Sequence, residues 1–271
     1  MSQAEYREKV CALVEQQWLP EQISNRLKLE QSSIQISFPT IYRTIHSGKF
    51  DPKGNHGYVR KGDQYARSLR EKGEKHTKRS DRRRSRFPDA PHISERPQAA
   101  NGRSCVGHWE ADTIAGKKGT ACILTLTDRR SRYLPAAKVA HNTAEVVSEV
   151  MLRLLSHLPA EQVLSVTPDR GSEFANYAQI SACLHQVSFY FPDPYSPWLR
   201  GINENTNGLL REYFPKYQDI TPVSKCSIAD AVFRINLRPR RCLAWRSPFE
   251  SFSSWCCTWL DNLQVLSFPS A

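Results

Sequence analysis

The 271-residue chain has no run of 18 or more apolar residues, and its first ten residues lack an apolar segment. A membrane span needs such a run and a secretory signal needs such a segment, so we expect a cytoplasmic protein. None of the eight cysteines stands in C-x-x-C spacing, and Cys105 with His108 forms a lone C-x-x-H. The scattered cysteines argue against a disulfide-stapled scaffold and against a zinc finger.

Acidic residues are scarce relative to basic ones. The chain has 38 Lys and Arg against 27 Asp and Glu, a net charge of +11. The excess is concentrated between Lys53 and Arg86, where 13 basic residues stand with 4 acidic ones. Such a cluster is the electrostatic footprint of a polyanion-binding protein, which favours nucleic acid as the partner. A solubilising or disordered basic linker is the alternative.

The first 50 residues predict a small helical region. Apolar residues recur at helical spacing from Val10 to Val14, and Pro20 marks the start of a second helix. Pro39–Arg43 opens a third short helix that ends at Gly48. Two short helices across a turn fit a helix-turn-helix, although many small helical bundles share this pattern.

Residues 105–252 predict a mixed α/β domain, between a basic linker or arm (51–104) and an atypical tail (253–271). Three hairpin-connected strands are followed by helix, strand, helix, strand and helix. This order resembles the ribonuclease H-like fold of retroviral integrases. The predicted strands are Val106–Ile114, Thr120–Leu126, Arg132–Val139, Val163–Thr167 and Val187–Phe191, and the helices are Asn142–Leu158, Phe174–Leu184 and Arg200–Phe214.

Three acids stand out by their positions in this predicted fold. Asp112 lies in the first strand, Asp169 follows the fourth, and Glu204 lies in the first turns of the last helix. Mg²⁺ prefers hard oxygen ligands, and two such ions about 3.5–4 Å apart stabilise the attacking and leaving oxygens of phosphoryl transfer. If the three acids converge, they form a two-metal site.

The residue pattern alone does not select these acids. A lone Asp after a strand is usually a turn former or a helix N-cap, and a lone Glu in a helix is usually solvated. By position, Glu110, Asp128 and Glu173 are equally good candidates.

Four segments resemble, in order, sequence blocks of the insertion-sequence-30 family of transposases. The longest, Asp193–Lys216 (DPYSPWLRGINENTNGLLREYFPK), is similar to the family signature around the last catalytic acid. Gly107–Ile114 (GHWEADTI) and Thr167–Phe174 (TPDRGSEF) resemble the blocks that carry the first and second Asp. Asn236–Phe252 (NLRPRRCLAWRSPFESF) resembles the closing block. The likeness runs from about residue 5 to residue 252.

The resemblance implies a DDE transposase with a ribonuclease H-like core, in which Asp112, Asp169 and Glu204 are the catalytic acids and the metal ligands. The 34 residues between Asp169 and Glu204 suit the family's short spacer. It also implies two Mg²⁺ ions, which Mn²⁺ can replace. The implied partners are double-stranded DNA, at the terminal inverted repeats and at the target, and further copies of the chain that bring two element ends together.

Further residues are expected to contact DNA. Arg211, two helical turns after Glu204, matches the family's basic position and is expected to bind a phosphate, with a surface salt bridge as the alternative. Trp198 is expected to stack on a base near the cut, with loop packing as the alternative. The other expected DNA contacts are Asn203, Thr40, Arg43, Arg82, Arg83 and Arg84.

Two more expectations concern neighbours of the acids. Asn205 and Asn207 follow Glu204, and a helix places them about 200° apart, so only one can face the metal side. His108 is expected to be structural, because a metal-activated water needs no histidine base.

The chain departs from the family in places. Family members commonly have another helix-turn-helix ahead of the one predicted here, and Ser where Leu19 and Pro39 stand. The tail after Phe252 fits no family pattern. These departures leave a second function open, that of a truncated, catalytically inactive copy that binds the terminal repeats. A nuclease without target preference is a third.

Overall fold

The computed structural model describes residues 3–48, 50, 90–116, 119–193 and 201–254. Their contacts divide them into two compact units. The helical unit combines the N-terminal helices with residues 238–247, and the sheet unit contains the described residues from 90 to 237 and from 248 to 254. No helix among the described residues is long and apolar enough to cross a membrane.

The helical unit contains α1 (Gln3–Glu15), α2 (Pro20–Leu29) and α3 (Phe38–His46). Pro20 and Pro39 both lie in a first turn, where the missing N–H costs nothing. Leu19 cannot cap α2 with a side-chain acceptor. The side chain of Gln22 instead accepts the Leu19 backbone N–H at 2.8 Å. The three predicted helices are therefore present, around a core of Val10, Val14, Ile23, Leu27, Ile41 and Ile45.

The sheet unit is built on a five-stranded sheet in the order β3-β2-β1-β4-β5. β2 pairs antiparallel with β1 and with β3, whereas β4 runs parallel to both β1 and β5. This mixed sheet confirms the predicted ribonuclease H-like fold. The strands are β1 (His108–Ala115), β2 (Cys122–Asp128), β3 (Ala136–Val139), β4 (Ser165–Thr167) and β5 (Ser188–Phe189).

Helices cover both faces of the sheet. Because successive side chains of a strand point to opposite faces, Trp109 and Ala111 of β1 pack in one core cluster and Ile114 in the other. The first cluster includes Met151 of α5, and the second includes Leu209 of α7. The helices of the sheet unit are α4 (Gln98–Gly102), α5 (Ala144–Leu155), α6 (Tyr177–Cys183), α7 (Gly201–Leu210), α8 (Lys225–Leu237) and α9 (Pro248–Ser253).

Several local predictions differ from the structure. β3 begins at Ala136 rather than Arg132, because Arg132 has a left-handed φ of 64° and the Asn236 side chain binds both the N–H and the carbonyl of Leu134. The helix predicted from Asn142 begins at Ala144, with Thr143 at its N-cap. The helix predicted from Phe174 is a short 3-10 turn followed by α6.

Two segments pack differently from their predicted domains. Residues 90–104, assigned to the basic arm, pack within the sheet unit. There the Ile93 N–H donates to the Phe191 carbonyl at 2.9 Å, and Arg129 Nε donates to the Ala100 carbonyl at 2.8 Å. Residues 238–247, assigned to the catalytic core, pack within the helical unit. The predicted domain boundaries remain a prediction.

Candidate active site

Asp112 lies in the middle of β1, opposite Thr125 of β2. Its Oδ1 accepts the Thr113 backbone N–H at 2.8 Å, and its Oδ2 accepts Asn207 Nδ2 at 2.8 Å. The Asn207 Oδ1 in turn accepts the Thr125 hydroxyl at 3.3 Å. Through Asn207, the half-buried carboxylate of Asp112 is tied to α7, the helix that packs on β1 and β2.

Asp169 lies just beyond β4, the strand parallel to β1. In the register of β1 and β4, Glu110 lies opposite Thr167. Asp112 lies two residues after Glu110, and Asp169 lies two residues after Thr167. The Asp169 Oδ1 accepts the Gly171 N–H at 2.8 Å, which stabilises the turn after the strand. Each aspartate therefore follows the last β1–β4 pair by two residues, Asp112 still within β1 and Asp169 beyond the end of β4.

Glu204 occupies the first turn of α7, with its side chain exposed. Asn207 follows one turn later, at a spacing that places two side chains on the same side of a helix. Since Asn207 contacts Asp112, Glu204 lies one turn toward the helix N-terminus from that contact. Asn205 is exposed, so Asn207 is the one of the two asparagines that faces the aspartate.

The three carboxylates do not form a closed ligand set. Among the described residues, which include Asp112, Asp169 and Glu204, no three His, Cys, Asp or Glu side chains are arranged to hold a metal ion. Carboxylates close together without a cation repel one another. Their oxygens are nevertheless the hard ligands that Mg²⁺ prefers, so the chemistry of the donor set fits this ion.

Glu110 has a structural role. Its carboxylate is fully buried, and Oε1 forms an ion pair with Arg129. Its Oε2 accepts the backbone N–H of Asn203 at 3.1 Å. Both carboxylate oxygens are thereby occupied, and they tie β1 to the first turn of α7, beside Glu204.

Asp128 also has a structural role, as the turn former expected of a lone Asp after a strand. Its fully buried carboxylate accepts the N–H groups of Gly107, Arg130 and Ser131 and the hydroxyl of Ser131, at 2.6–3.1 Å. Burial raises the pKa of Asp128, while the hydrogen bonds from Ser131, Gly107 and Arg130 oppose that rise. The carboxylate stabilises the turn after β2.

Glu173 lies on the other side of the sheet from the Asp112 carboxylate. Its Oε1 accepts the hydroxyl of Thr113 at 3.1 Å. Because Thr113 follows Asp112 in β1, the two side chains point to opposite faces. The three competing acids thus have structural contacts of their own, and Asp112, Asp169 and Glu204 remain the candidates that the family resemblance implies.

His108 matches the expectation of a structural residue. It is buried, and its Nδ1 lies 2.8 Å from the Ser165 hydroxyl on β4. Burial lowers the pKa of His108, and the nearby Arg129 and Arg96 lower it further. The imidazole is therefore a neutral link between neighbouring strands.

Two expected DNA contacts lie on α7 or directly after it. The side chain of Asn203 is fully buried. Its expected contact with DNA remains a prediction. Arg211 is half-buried, and its Nη2 donates to the Ala115 carbonyl at the end of β1, at 2.8 Å. Its expected phosphate contact remains a prediction.

The remaining expected DNA contacts divide into two groups. Ile41 and Ile45 of α3 are buried in the helical unit, whereas Arg43 on the same helix is exposed. Arg43 Nη2 donates to the Thr40 hydroxyl at 3.4 Å, so these two side chains share the outer face of α3. The other expected contacts, Trp198, Arg82, Arg83 and Arg84, lie outside the described residues.

The sequence reasoning missed the counter-charge of Glu110. Arg129 is 5% exposed, and its guanidinium contacts the Glu110 carboxylate and donates to the Ala100 carbonyl. Arg96, also buried, donates to Asn101, and burial lowers the pKa of Arg96 to about 10. The signal in the sequence was a charged residue, Glu110, directly between the apolar Trp109 and Ala111 of a predicted strand, because a buried carboxylate requires a buried partner.

Comparisons with known proteins identify relatives of this chain. The integrase core domain family matches residues 104–197. Transposase InsI for insertion sequence element IS30A of Escherichia coli (strain K12) is 34% identical over 249 residues, which cover 90% of this chain. The transposase for insertion sequence element IS1086 of Cupriavidus metallidurans is 35% identical, over 93% of this chain and 73% of that protein. The catalytic core domain of BIV integrase aligns with a TM-score of 0.46 and 20% identity, over 57% of this chain and 99% of that one.

The extent of the match differs among the relatives. This chain spans 63% of the length of the Escherichia coli protein. The transposase for insertion sequence element IS4351 of Bacteroides fragilis is 34% identical, over 91% of this chain and 72% of that protein. At this identity and coverage the family is established: the chain belongs to the insertion-sequence-30 family of transposases.

Proposed function

We propose that this protein is a DDE transposase. It cuts DNA strands at the terminal inverted repeats of its insertion sequence and transfers them to target DNA by metal-dependent phosphoryl transfer. One observation carries the proposal: Asp112 and Asp169 each follow, by two residues, the last residue pair of the adjacent parallel strands β1 and β4. Asn207 ties the first of them to the helix that bears Glu204.

The three acids would hold two Mg²⁺ ions, which Mn²⁺ can replace. Such ions activate the attacking oxygen and stabilise the leaving 3′-oxygen of an in-line displacement. Asn207 orients the Asp112 carboxylate by donating to Oδ2. The turn closed by the Gly171 N–H fixes the position of Asp169. Glu110 accepts a hydrogen bond from the first turn of α7 and so fixes the position of Glu204 relative to the sheet.

Recognition of DNA is assigned to the helical unit and the basic arm. In a helix-turn-helix the second helix enters the major groove, which corresponds to α3 with Thr40 and Arg43. The basic residues between Lys53 and Arg86 would neutralise phosphates, which makes binding strongly dependent on salt. Two element ends must be held together, so the protein acts as a homo-oligomer on DNA, in the cytoplasm and associated with the nucleoid.

The test compares nicking with binding. An end-labelled duplex carrying the element's terminal repeat is incubated with Mg²⁺ and either wild type, Asp169→Ala or Asp230→Ala. Asp230 is an exposed acid of α8, paired with Arg234, and serves as the matched control. We expect wild type and the control to nick the repeat end, and Asp169→Ala to bind without nicking.

Three other results would contradict this assignment. Collapse of binding in Asp169→Ala would make the acid structural. Repeat-specific binding by wild type without nicking would leave a DNA-binding protein without turnover. Equal cutting of unrelated duplex would indicate a general nuclease.

A further inference from the structure

A short arginine-rich segment late in the sequence belongs to the helical unit. Residues 238–247 (RPRRCLAWRS) follow α8 and precede α9, but they pack with the N-terminal helices. The segment contains four arginines and no acid. We call these ten residues the arginine loop.

The arginine loop is fixed to α2 and to the turn before it. Gln22 Nε2 donates to the Pro239 carbonyl at 2.8 Å, and Arg26 Nη1 donates to the Trp245 carbonyl at 3.4 Å. Arg238, 2% exposed, donates from Nη2 to the Gln17 side chain at 3.2 Å. Three side-chain hydrogen bonds thus join segments more than 200 positions apart.

The arginine loop is closed on itself, which fixes its outward side chains. The Arg240 N–H donates to the Arg246 carbonyl at 3.0 Å, and the Trp245 N–H donates to the Arg240 carbonyl at 2.9 Å. Ala244 and Trp245 both have left-handed φ values, 51° and 66°. This tight turn leaves the side chains of Arg241 and Arg246 exposed.

The acids of the neighbouring helix are engaged elsewhere. Glu21 accepts the Tyr42 hydroxyl at 3.1 Å, and Glu30 pairs with Arg26 at 2.7 Å. Among the described residues, neither carboxylate of α2 forms an ion pair with Arg241 or Arg246. Guanidinium groups match phosphate oxygens in charge and geometry, so the ligand class that fits this surface is a phosphodiester backbone.

We infer that the arginine loop is a second DNA contact of the helical unit, in which Arg241 and Arg246 bind backbone phosphates beside the helix-turn-helix. The inference rests on the proposed function. In a helix-turn-helix the first helix crosses the DNA backbone while the second enters the groove. α2 corresponds to that first helix, and the arginine loop is attached along it. The loop positions the protein on DNA without reading bases, because phosphate contacts carry no sequence information.

The test measures how binding depends on salt. Fluorescence anisotropy with a labelled terminal-repeat duplex and an unrelated duplex of equal length compares wild type with Arg241→Gln/Arg246→Gln. The matched control, Arg153→Gln/Arg234→Gln, removes the same charge from helices of the sheet unit. Each phosphate contact contributes about −0.9 to the slope of log K against log salt. We expect the loop variant's slope to be about 1.8 less steep on both duplexes, with the preference for the repeat retained, and the control's slope to be unchanged.

A charge-retaining variant controls for folding. Arg241→Lys/Arg246→Lys is expected to keep the wild-type slope. If the wild type binds and the loop variant has the same salt-dependence slope as the control, this inference is overturned and the proposed function still stands. A wild-type protein that binds neither duplex would overturn both.

Discussion

The Oε2 of Glu110 accepts the backbone N–H of Asn203 at 3.1 Å, while its Oε1 is paired with the buried Arg129. This contact joins the central strand to the residue immediately before Glu204. The Glu110 carboxylate, two positions from Asp112, is therefore occupied by structural contacts, and in the proposed function it supports the site without taking part in its chemistry. The contact between Glu110 and Asn203 therefore both stabilises the fold and fixes the position of Glu204.

Replacing Glu110 with Gln is expected to destabilise the sheet unit by about 3–5 kcal/mol, because Arg129 would remain buried without its counter-charge. Urea unfolding followed by circular dichroism measures this loss. The control Glu161→Gln changes an exposed acid and is expected to stay within about 0.5 kcal/mol of wild type. A Glu110→Gln protein as stable as the control would show that the ion pair is not a support.

Asn207→Ala is expected to lower metal-dependent cutting by about 10–100-fold, because residues that orient a metal ligand contribute on this scale. Asn207 donates to Asp112, whereas Asn205 is exposed, so Asn205→Ala is the matched control. Cutting rates measured over a Mg²⁺ series should show that the Asn207 variant needs more metal. Equal losses in both variants would contradict the assigned orientation.

Stability is expected to fall below neutral pH because of His108. Its pKa is lowered in the folded protein, chiefly by burial, from the ordinary value of 6.5. The stabilisation from keeping it neutral is present above pH 6.5 and is lost as pH falls toward the folded-state pKa. Unfolding midpoints at several pH values should therefore decline less steeply in His108→Gln than in wild type. His157→Gln, at an exposed position, should follow wild type, and an equally steep decline in His108→Gln would exclude this origin.

Arg43→Ala is expected to weaken binding to terminal-repeat DNA without affecting the fold, since its side chain is exposed on α3. If Arg43 reads a base, the affinity for the repeat falls by about 1–3 kcal/mol and that for unrelated DNA changes little. Competition binding measures both affinities. An equal loss on both DNAs would make Arg43 a phosphate contact instead.

Periodicity and turn chemistry were sufficient to predict much of the fold. Trp109 and Ala111 point to one face of the sheet and Ile114 points to the other, as expected for a strand between two helical layers. Pro20 marks the start of α2, as the structure shows. The predicted set of acids followed from the family resemblance, not from the pattern. The structure supplied what the pattern lacked, namely the contacts that occupy Glu110 and Asp128.

The rest depended on long-range contacts that no local pattern encodes. Arg129 stands in a turn, and only the folded sheet brings its guanidinium to Glu110. The arginine loop joins helices more than 200 positions away, through bonds such as that from Gln22 to Pro239. The helix predicted from Asn142 begins at Ala144 instead, a shift of two residues that helix propensity does not decide.

The central claim is that Asp112, Asp169 and Glu204 together hold the metal ions of a DNA-cutting site. Its most direct test is single-turnover cutting of terminal-repeat duplex in Mg²⁺ by Asp112→Asn, Asp169→Asn, Glu204→Gln and the control Glu173→Gln. We predict that each of the first three loses at least about 100-fold, the scale on which one transition-state-stabilising group acts. Glu173→Gln should retain cutting within about tenfold of wild type. Normal cutting by any of the first three variants, or its abolition in Glu173→Gln alone, would contradict the account.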